Sequence, residues 1–245
     1  MDSQSLIRLD SVSKFFDIHI QRKLPSKRTS STMDGFDSLK KYTYPALNNI
    51  SLDIKKGDWI GVIGKNGSGK STLMKVLSGI HTPEKGTVDI NGSVLPFFGA
   101  DEILHPEGTV KDSILVKAIQ VGLPKNEALK IYNNIILFSE LEDFTSQKIK
   151  FLSSGMKTRL MLGLMLNINA DIYLFDEIPA TTDMLFQEKV MNRILKLKQL
   201  QKTALIISHN MEEIKKYCEK SILLNDGEIV SFDRTDNILK LYAEN

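Results

Sequence analysis

The sequence predicts an α/β fold built on a mainly parallel sheet, and three observations carry that prediction. Short apolar runs at Trp59–Ile63, Ile172–Phe175 and Ala204–Ile207 read as buried strands. Helix-patterned segments separate them, as a parallel sheet covered on both faces requires. A glycine-rich turn joins the first of these runs to a helix. The 245 residues suffice for one large domain. With 42% apolar and 25% charged residues, composition excludes disordered and fibrous classes.

Along the chain, residues 5–16 partly alternate apolar with polar and read as a strand. From Gln21 to Lys41 the chain is rich in Ser, Lys and Arg, so a basic loop insertion is expected at about 20–43. A second strand follows at Ala46–Ile54, then the buried run Trp59–Ile63. Thr72–Ser78 reads as a helix with Gly79 at its C-terminal end. Thr87–Val94 reads as one strand, and residues 109–170 as mostly helical with a break at Gly122-Leu123-Pro124. Met184–Gln201 reads as a helix.

The segment Gly64-Lys65-Asn66-Gly67-Ser68-Gly69-Lys70-Ser71 satisfies G-x-x-x-x-G-K-[ST], with Thr72 opening the next helix. Its glycines let the backbone wrap a phosphate with N–H groups pointing inward. Lys70 would reach the β- and γ-phosphates of ATP, and the Ser71 hydroxyl would ligate Mg²⁺. A metal-positioning acid is then needed on a neighbouring strand. Ile172–Phe175 ends in Asp176-Glu177, about 100 residues after the loop. Asp176 would hold Mg²⁺, and Glu177 would orient or deprotonate the attacking water. The run Ala204–Ile207 ends in Ser208-His209, which puts His209 where it could contact the γ-phosphate.

Charge and cysteine content narrow the class. The net charge is +2, so no global field draws the chain to nucleic acid. The single Cys218 excludes an internal disulfide and fits a reducing, cytoplasmic compartment. No signal peptide is expected at Met1-Asp2-Ser3-Gln4, and the most apolar stretch, 160–168, is far shorter than the roughly 20 residues a membrane span needs.

Further motifs carry a family resemblance. Phe151-Leu152-Ser153-Ser154-Gly155-Met156-Lys157 resembles the signature motif of ABC ATPases, in the form found in bacterial polysaccharide-export ATPases of the O-antigen, capsule and teichoic-acid type. Lys14-Phe15-Phe16, Phe138-Ser139-Glu140-Leu141, Phe186-Gln187-Glu188-Lys189 and Ser208-His209-Asn210-Met211 also match, so the resemblance covers nearly the whole chain. It implies one P-loop ABC ATPase domain over 1–245. That domain would have a RecA-like parallel-sheet core, a small antiparallel β subdomain and a helical subdomain at about 97–165. It also implies a head-to-tail homodimer. Each ATP would lie between the phosphate loop of one copy and Ser153, Ser154 and Gly155 of the other, with Asp183 in a turn across the dimer.

By the same resemblance, Phe16 would stack on adenine, with Tyr44 the second choice. The family's metal-touching glutamine is missing; His105 aligns best with its loop and Glu102 is the rival. Phe97, Phe98 and Ile103 would contact a short helix of a separate permease. The implied protein is peripheral to the cytoplasmic face of the inner membrane and powers export of a lipid-linked polysaccharide. Relatives with a C-terminal carbohydrate-binding domain exist, and after Asp236–Asn245 no room for one is expected. The alternatives are a soluble ABC-type ATPase acting on nucleic acid and a non-transport regulator.

Overall fold

The computed structural model describes residues 5–20, 40–98, 104–179 and 183–244. Two sheets organise them. Strands β1 (Ser5–Ile20), β2 (Lys40–Lys55) and β4 (Lys85–Ile90) form an antiparallel sheet in the order β2-β1-β4. The larger sheet also holds β3 (Trp59–Ile63), β5 (Val94–Phe97), β6 (Ile172–Asp176), β7 (Thr203–Ile207), β8 (Lys220–Asn225) and β9 (Glu228–Arg234), in the order β5-β6-β7-β3-β8-β9. All its neighbours run parallel except the last pair, β8 and β9.

The parallel strands are buried on both faces, and their alternation feeds two cores. Trp59, Ile63, Tyr173, Phe175, Ala204 and Ile206 point to one face. They pack under the helices α2 (Val110–Gln120), α3 (Lys125–Ser139), α4 (Ser154–Asn167), α5 (Met184–Gln199) and α6 (Met211–Tyr217). Ile60, Val62, Ile172, Leu174, Leu205 and Ile207 point to the other. There they meet α1 (Lys70–Leu77) and the antiparallel sheet. Each such buried aliphatic side chain contributes roughly 1.5–3 kcal/mol. A last helix, α7 (Thr235–Ala243), follows β9.

Local chemistry starts the helices where the chain needs them. Thr109 and Asp112 form a reciprocal capping box at α2, and the side chains of Ser153, Asp183 and Asn210 cap α4, α5 and α6. The break at Gly122-Leu123-Pro124 falls between α2 and α3 as the sequence predicts.

Three expectations are corrected. The run Thr87–Val94 is two strands in two different sheets, β4 and β5. Gly92 divides them at φ +152, and Ser93 donates its N–H and hydroxyl to Asp171 at 3.0 and 2.8 Å. The hairpin arms of β1 and β2 stay paired out to Ile20↔Lys40, so strand continues through positions expected to be loop. Residues 21–39, the rest of the basic insertion, lie outside the described residues. Phe97, a suggested partner contact, is buried and stacks on Phe175 at 6.2 Å. Phe98 is half-buried against the second core, and Ile103 and Glu102 lie outside the described residues.

The hairpin β8–β9 and helix α7 have no counterpart in the sequence reading. The β8–β9 turn has Asp226 at φ +48 and Gly227 at φ +79. An Asp-Gly pair of this kind favours a two-residue hairpin.

Candidate functional site: a phosphate-loop cleft at the strand ends

The phosphate loop leaves the buried strand β3 and enters α1 through Gly69, which has φ +103. An added Cβ there would lie 2.5 Å from the Ala46 carbonyl, so glycine is required both by conformation and by space. The loop is braced from outside. Gly227 N–H donates to Ser68 O at 3.1 Å, Asn48 N–H donates to Gly227 O at 2.8 Å, and the Tyr44 hydroxyl donates to Gly67 O at 3.3 Å. Gly64 lies against Leu224 O and the Ser68 side chain. Ser68 Oγ is buried with no hydrogen-bond partner among the described residues.

A cleft of about 300 Å³ opens over the loop. Asn66, Gly67, Gly69, Lys70, Ser71 and Thr72 form its floor, with Asp176 from the end of β6 and His209 just past the end of β7. These are the carboxyl ends of adjacent parallel strands, where open α/β sheets hold ligands. Phe16 and Tyr44 close the rim together, because they face each other across β1 and β2. Phe16 also meets His81 edge-on at 5.3 Å.

Electrostatics tie the floor together. The Lys70 ammonium donates to Gly64 O at 2.7 Å and Lys65 O at 2.9 Å. Burial pulls its pKa down, and the charge of Asp176 opposes that shift. Burial pushes the Asp176 carboxyl up, the neighbouring Glu177 adds to the rise, and Lys70 opposes it. A divalent cation would relieve this crowding of two carboxylates. Ser71 and Asp176 share the cleft, so the residues fit a hard cation that takes further oxygens from water and phosphate. No cluster of three or more His, Cys, Asp or Glu suited to a metal occurs among the described residues.

Glu177 takes a left-handed backbone at φ +69, and its N–H donates to Ile207 O at 2.9 Å. That bond ties the residue after β6 to the end of β7. Its carboxylate lies 3.8 Å from His209 Nε2, and both side chains are exposed; His209 lines the cleft and Glu177 does not. Ser208 supports His209 from behind, donating to Glu213 at 2.8 Å and accepting from Asn210 N–H at 3.0 Å.

Other sequence-predicted residues are placed elsewhere. Ser153, Ser154 and Gly155 form an exposed turn at the start of α4 and do not line the cleft. Ser153 Oγ accepts from Met156 N–H at 3.2 Å. Asp183 starts α5 and pairs with Arg159 of α4, which also pairs with Glu140 and packs over the Phe186 ring. His105 is exposed and does not line the cleft. Residues 180–182 lie outside the described residues.

Sequence reasoning missed Arg159, which links α3, α4 and α5, and the brace that Ala46 and Gly227 provide behind the loop. The Asp226-Gly227 pair was the available signal for the second. No local pattern marks the first. Among the described residues, no helix is long and apolar enough to cross a membrane.

Comparisons with known proteins agree with this geometry. The family model described as ABC transporter matches residues 47–180. The teichoic acids export ATP-binding protein TagH of Lactococcus lactis subsp. lactis is 34% identical over 97% of the chain and 50% of its own length. The protein of the same name from Bacillus anthracis is 34% identical over 94% of the chain and 42% of its own length. The chain thus spans about half the length of these curated relatives. The O-antigen export system ATP-binding protein RfbB of Klebsiella pneumoniae is 33% identical over 86% of the chain and 85% of its own length. A solved dimeric ATP-binding cassette in a post-hydrolysis state with ADP and Pi superposes with a TM-score of 0.72. It is 23% identical, covering 94% of the chain and 98% of its own, a likeness of fold.

Proposed function

The chain belongs to the ABC transporter family, and from that premise we propose that it binds and hydrolyses ATP with Mg²⁺ to power a separate membrane permease. The cargo is a lipid-linked polysaccharide of the O-antigen, capsule or teichoic-acid class; relatives are named for export of the first and last of these. The observation that carries the ATPase part is the gathering of Lys70, Ser71, Asp176 and His209 in one cleft below Phe16 and Tyr44.

Each group has a task that its position suits. Gly64, Asn66, Gly67, Ser68 and Gly69 present backbone N–H groups to the phosphates, and Thr72 lines the first turn behind them. Ser68 Oγ is a buried group without a hydrogen-bond partner among the described residues, as expected of a donor kept for a phosphate oxygen. Lys70 moves from its two carbonyls to the transferred phosphate, whose charge outweighs theirs. Ser71 and Asp176 would hold Mg²⁺, which neutralises charge on the phosphates when bound. Glu177 orients the attacking water and takes its proton, and His209 contacts the γ-phosphate. Phe16 stacks on adenine, with Tyr44 beside it.

The active unit is a head-to-tail pair of copies. Ser153, Ser154 and Gly155 of one copy cover the γ-phosphate in the other, and Asp183 faces the same interface. The exposed N-terminus of α4 has a positive dipole end suited to this. His105 stands in the loop of the missing metal-touching glutamine but does not line the cleft, and its rival Glu102 lies outside the described residues. The protein works at the cytoplasmic face of the membrane, held there by the permease.

The test is ATP turnover by purified protein, alone and reconstituted with its permease. Glu177→Gln should lower turnover by about a hundredfold or more while ATP-dependent dimers accumulate. Undiminished turnover in that variant would remove Glu177 from its role.

A further inference from the structure

The opposite end of the parallel sheet carries a second depression, of about 570 Å³. It is walled by the C-terminal ends of α5 and α6, the start of β8 and the start of α7. Lys198, Lys215, Lys216, Lys220 and Arg234 line it, against the carboxylates Glu219 and Asp236. The local excess of positive charge therefore exceeds the net +2 of the entire chain. An adjoining depression of about 360 Å³ shares Lys198 and Lys220 and continues to the start of β3.

The pairing inside this groove is loose. Lys215 is 3.5 Å from Asp236, and Lys220 is 3.9 Å from Asp58. Lys198 and Lys216 face the rings of Trp59 and Tyr217 at 5.1 and 5.7 Å. Neither has a carboxylate within 4 Å among the described residues. The first turn of α7 has no side-chain cap. Like charges gathered around a concave surface raise the local potential, and a multivalent anion relieves their repulsion. Lysine ammonium groups and the arginine fork are the donors that suit phosphate oxygens.

We propose that this groove is a binding site for an anion carrying several clustered phosphate charges, separate from the phosphate-loop cleft. The proposal does not depend on the transport reading. β3 runs from one site to the other, from Trp59 at the groove to Gly64 at the loop, over roughly 16 Å of strand.

Inorganic tripolyphosphate is the probe, titrated calorimetrically into a Lys70→Ala variant so that the phosphate loop does not compete. One saturable site is expected, weakening as salt is raised. Adding Lys198→Ala and Lys216→Ala should raise its Kd about tenfold. The Lys198→Ala/Lys216→Ala protein with Lys70 intact should melt as the parent does and bind a non-hydrolysable ATP analogue normally. A parallel arm sediments the protein with phosphatidylglycerol or phosphatidylcholine vesicles. Tripolyphosphate binding alone identifies a soluble anion; groove-dependent sedimentation with phosphatidylglycerol identifies a lipid headgroup. Absence of binding to both probes, or binding that the Lys198 and Lys216 substitutions leave unchanged, overturns the site.

Discussion

Two helix N-termini in this molecule look alike in sequence and differ in what surrounds them. The phosphate loop precedes α1 and the Ser153-Ser154-Gly155 turn opens α4, both rich in small residues. At the first, Gly69 has no room for a Cβ, and main chain from β2 and the β8–β9 turn braces the loop. At the second, a Cβ on Gly155 would meet nothing within 4 Å among the described residues, and a side-chain capping bond comes from Ser153 itself. The chain itself explains why Gly69 must be glycine. Nothing among the described residues explains Gly155, which fits a turn that closes against a surface outside the chain.

The largest expected effect is Gly69→Ala. Its positive φ and the Ala46 carbonyl together should cost about 2–4 kcal/mol of stability and abolish nucleotide binding, read from melting curves and a binding titration. Gly155→Ala is the counterpart. Stability should hold within about 0.5 kcal/mol, since alanine suits a helix, while ATP turnover falls about tenfold. A melting loss at Gly155 equal to that at Gly69 would break the comparison.

Asp176→Asn sharpens it through the charge half-buried beside the phosphate loop. Burial and Glu177 raise the Asp176 pKa, so the native state binds its proton more readily than the unfolded chain does. Its burden on stability is absent at low pH and grows as pH rises from the ordinary carboxylate range through the raised value. Nucleotide-free Asp176→Asn should therefore melt higher than the parent at neutral pH and no differently in acid, and it should lose the extra stabilisation by Mg²⁺ with nucleotide. A lower melting point at neutral pH would contradict the assignment. The smallest effects belong to the rim. Phe16→Ala should raise half-saturating ATP roughly threefold, and Tyr44→Phe, which removes only the bond to Gly67 O, less than twofold; neither should change turnover at saturation.

Sequence made the phosphate loop and the two acids legible because their chemistry is local. Glycines, a strand before and a helix after suffice to read Gly64–Ser71, and Asp176-Glu177 ends an apolar run. The split of Thr87–Val94 between two sheets was not legible, because partner choice is a tertiary matter that alternation alone does not encode. Val88 and Val94 look equivalent in sequence, yet one joins β4 and the other β5. Phe97 was equally ambiguous, and a position between the Lys117 ammonium and Phe175 decides it as core. The β8–β9 hairpin was readable from Asp226-Gly227. Arg159 was not, since its partners Glu140 and Asp183 lie 19 and 24 residues away.

The brace behind the phosphate loop also bears on timing. Ser68 and Gly67 are tied to Gly227 and Tyr44 by bonds that contain no nucleotide atom. Little loop ordering is then left for the moment of encounter, so nucleotide should enter in a single fast step whose rate is linear in concentration. Variants that loosen the brace should then change how quickly nucleotide leaves more than how quickly it arrives.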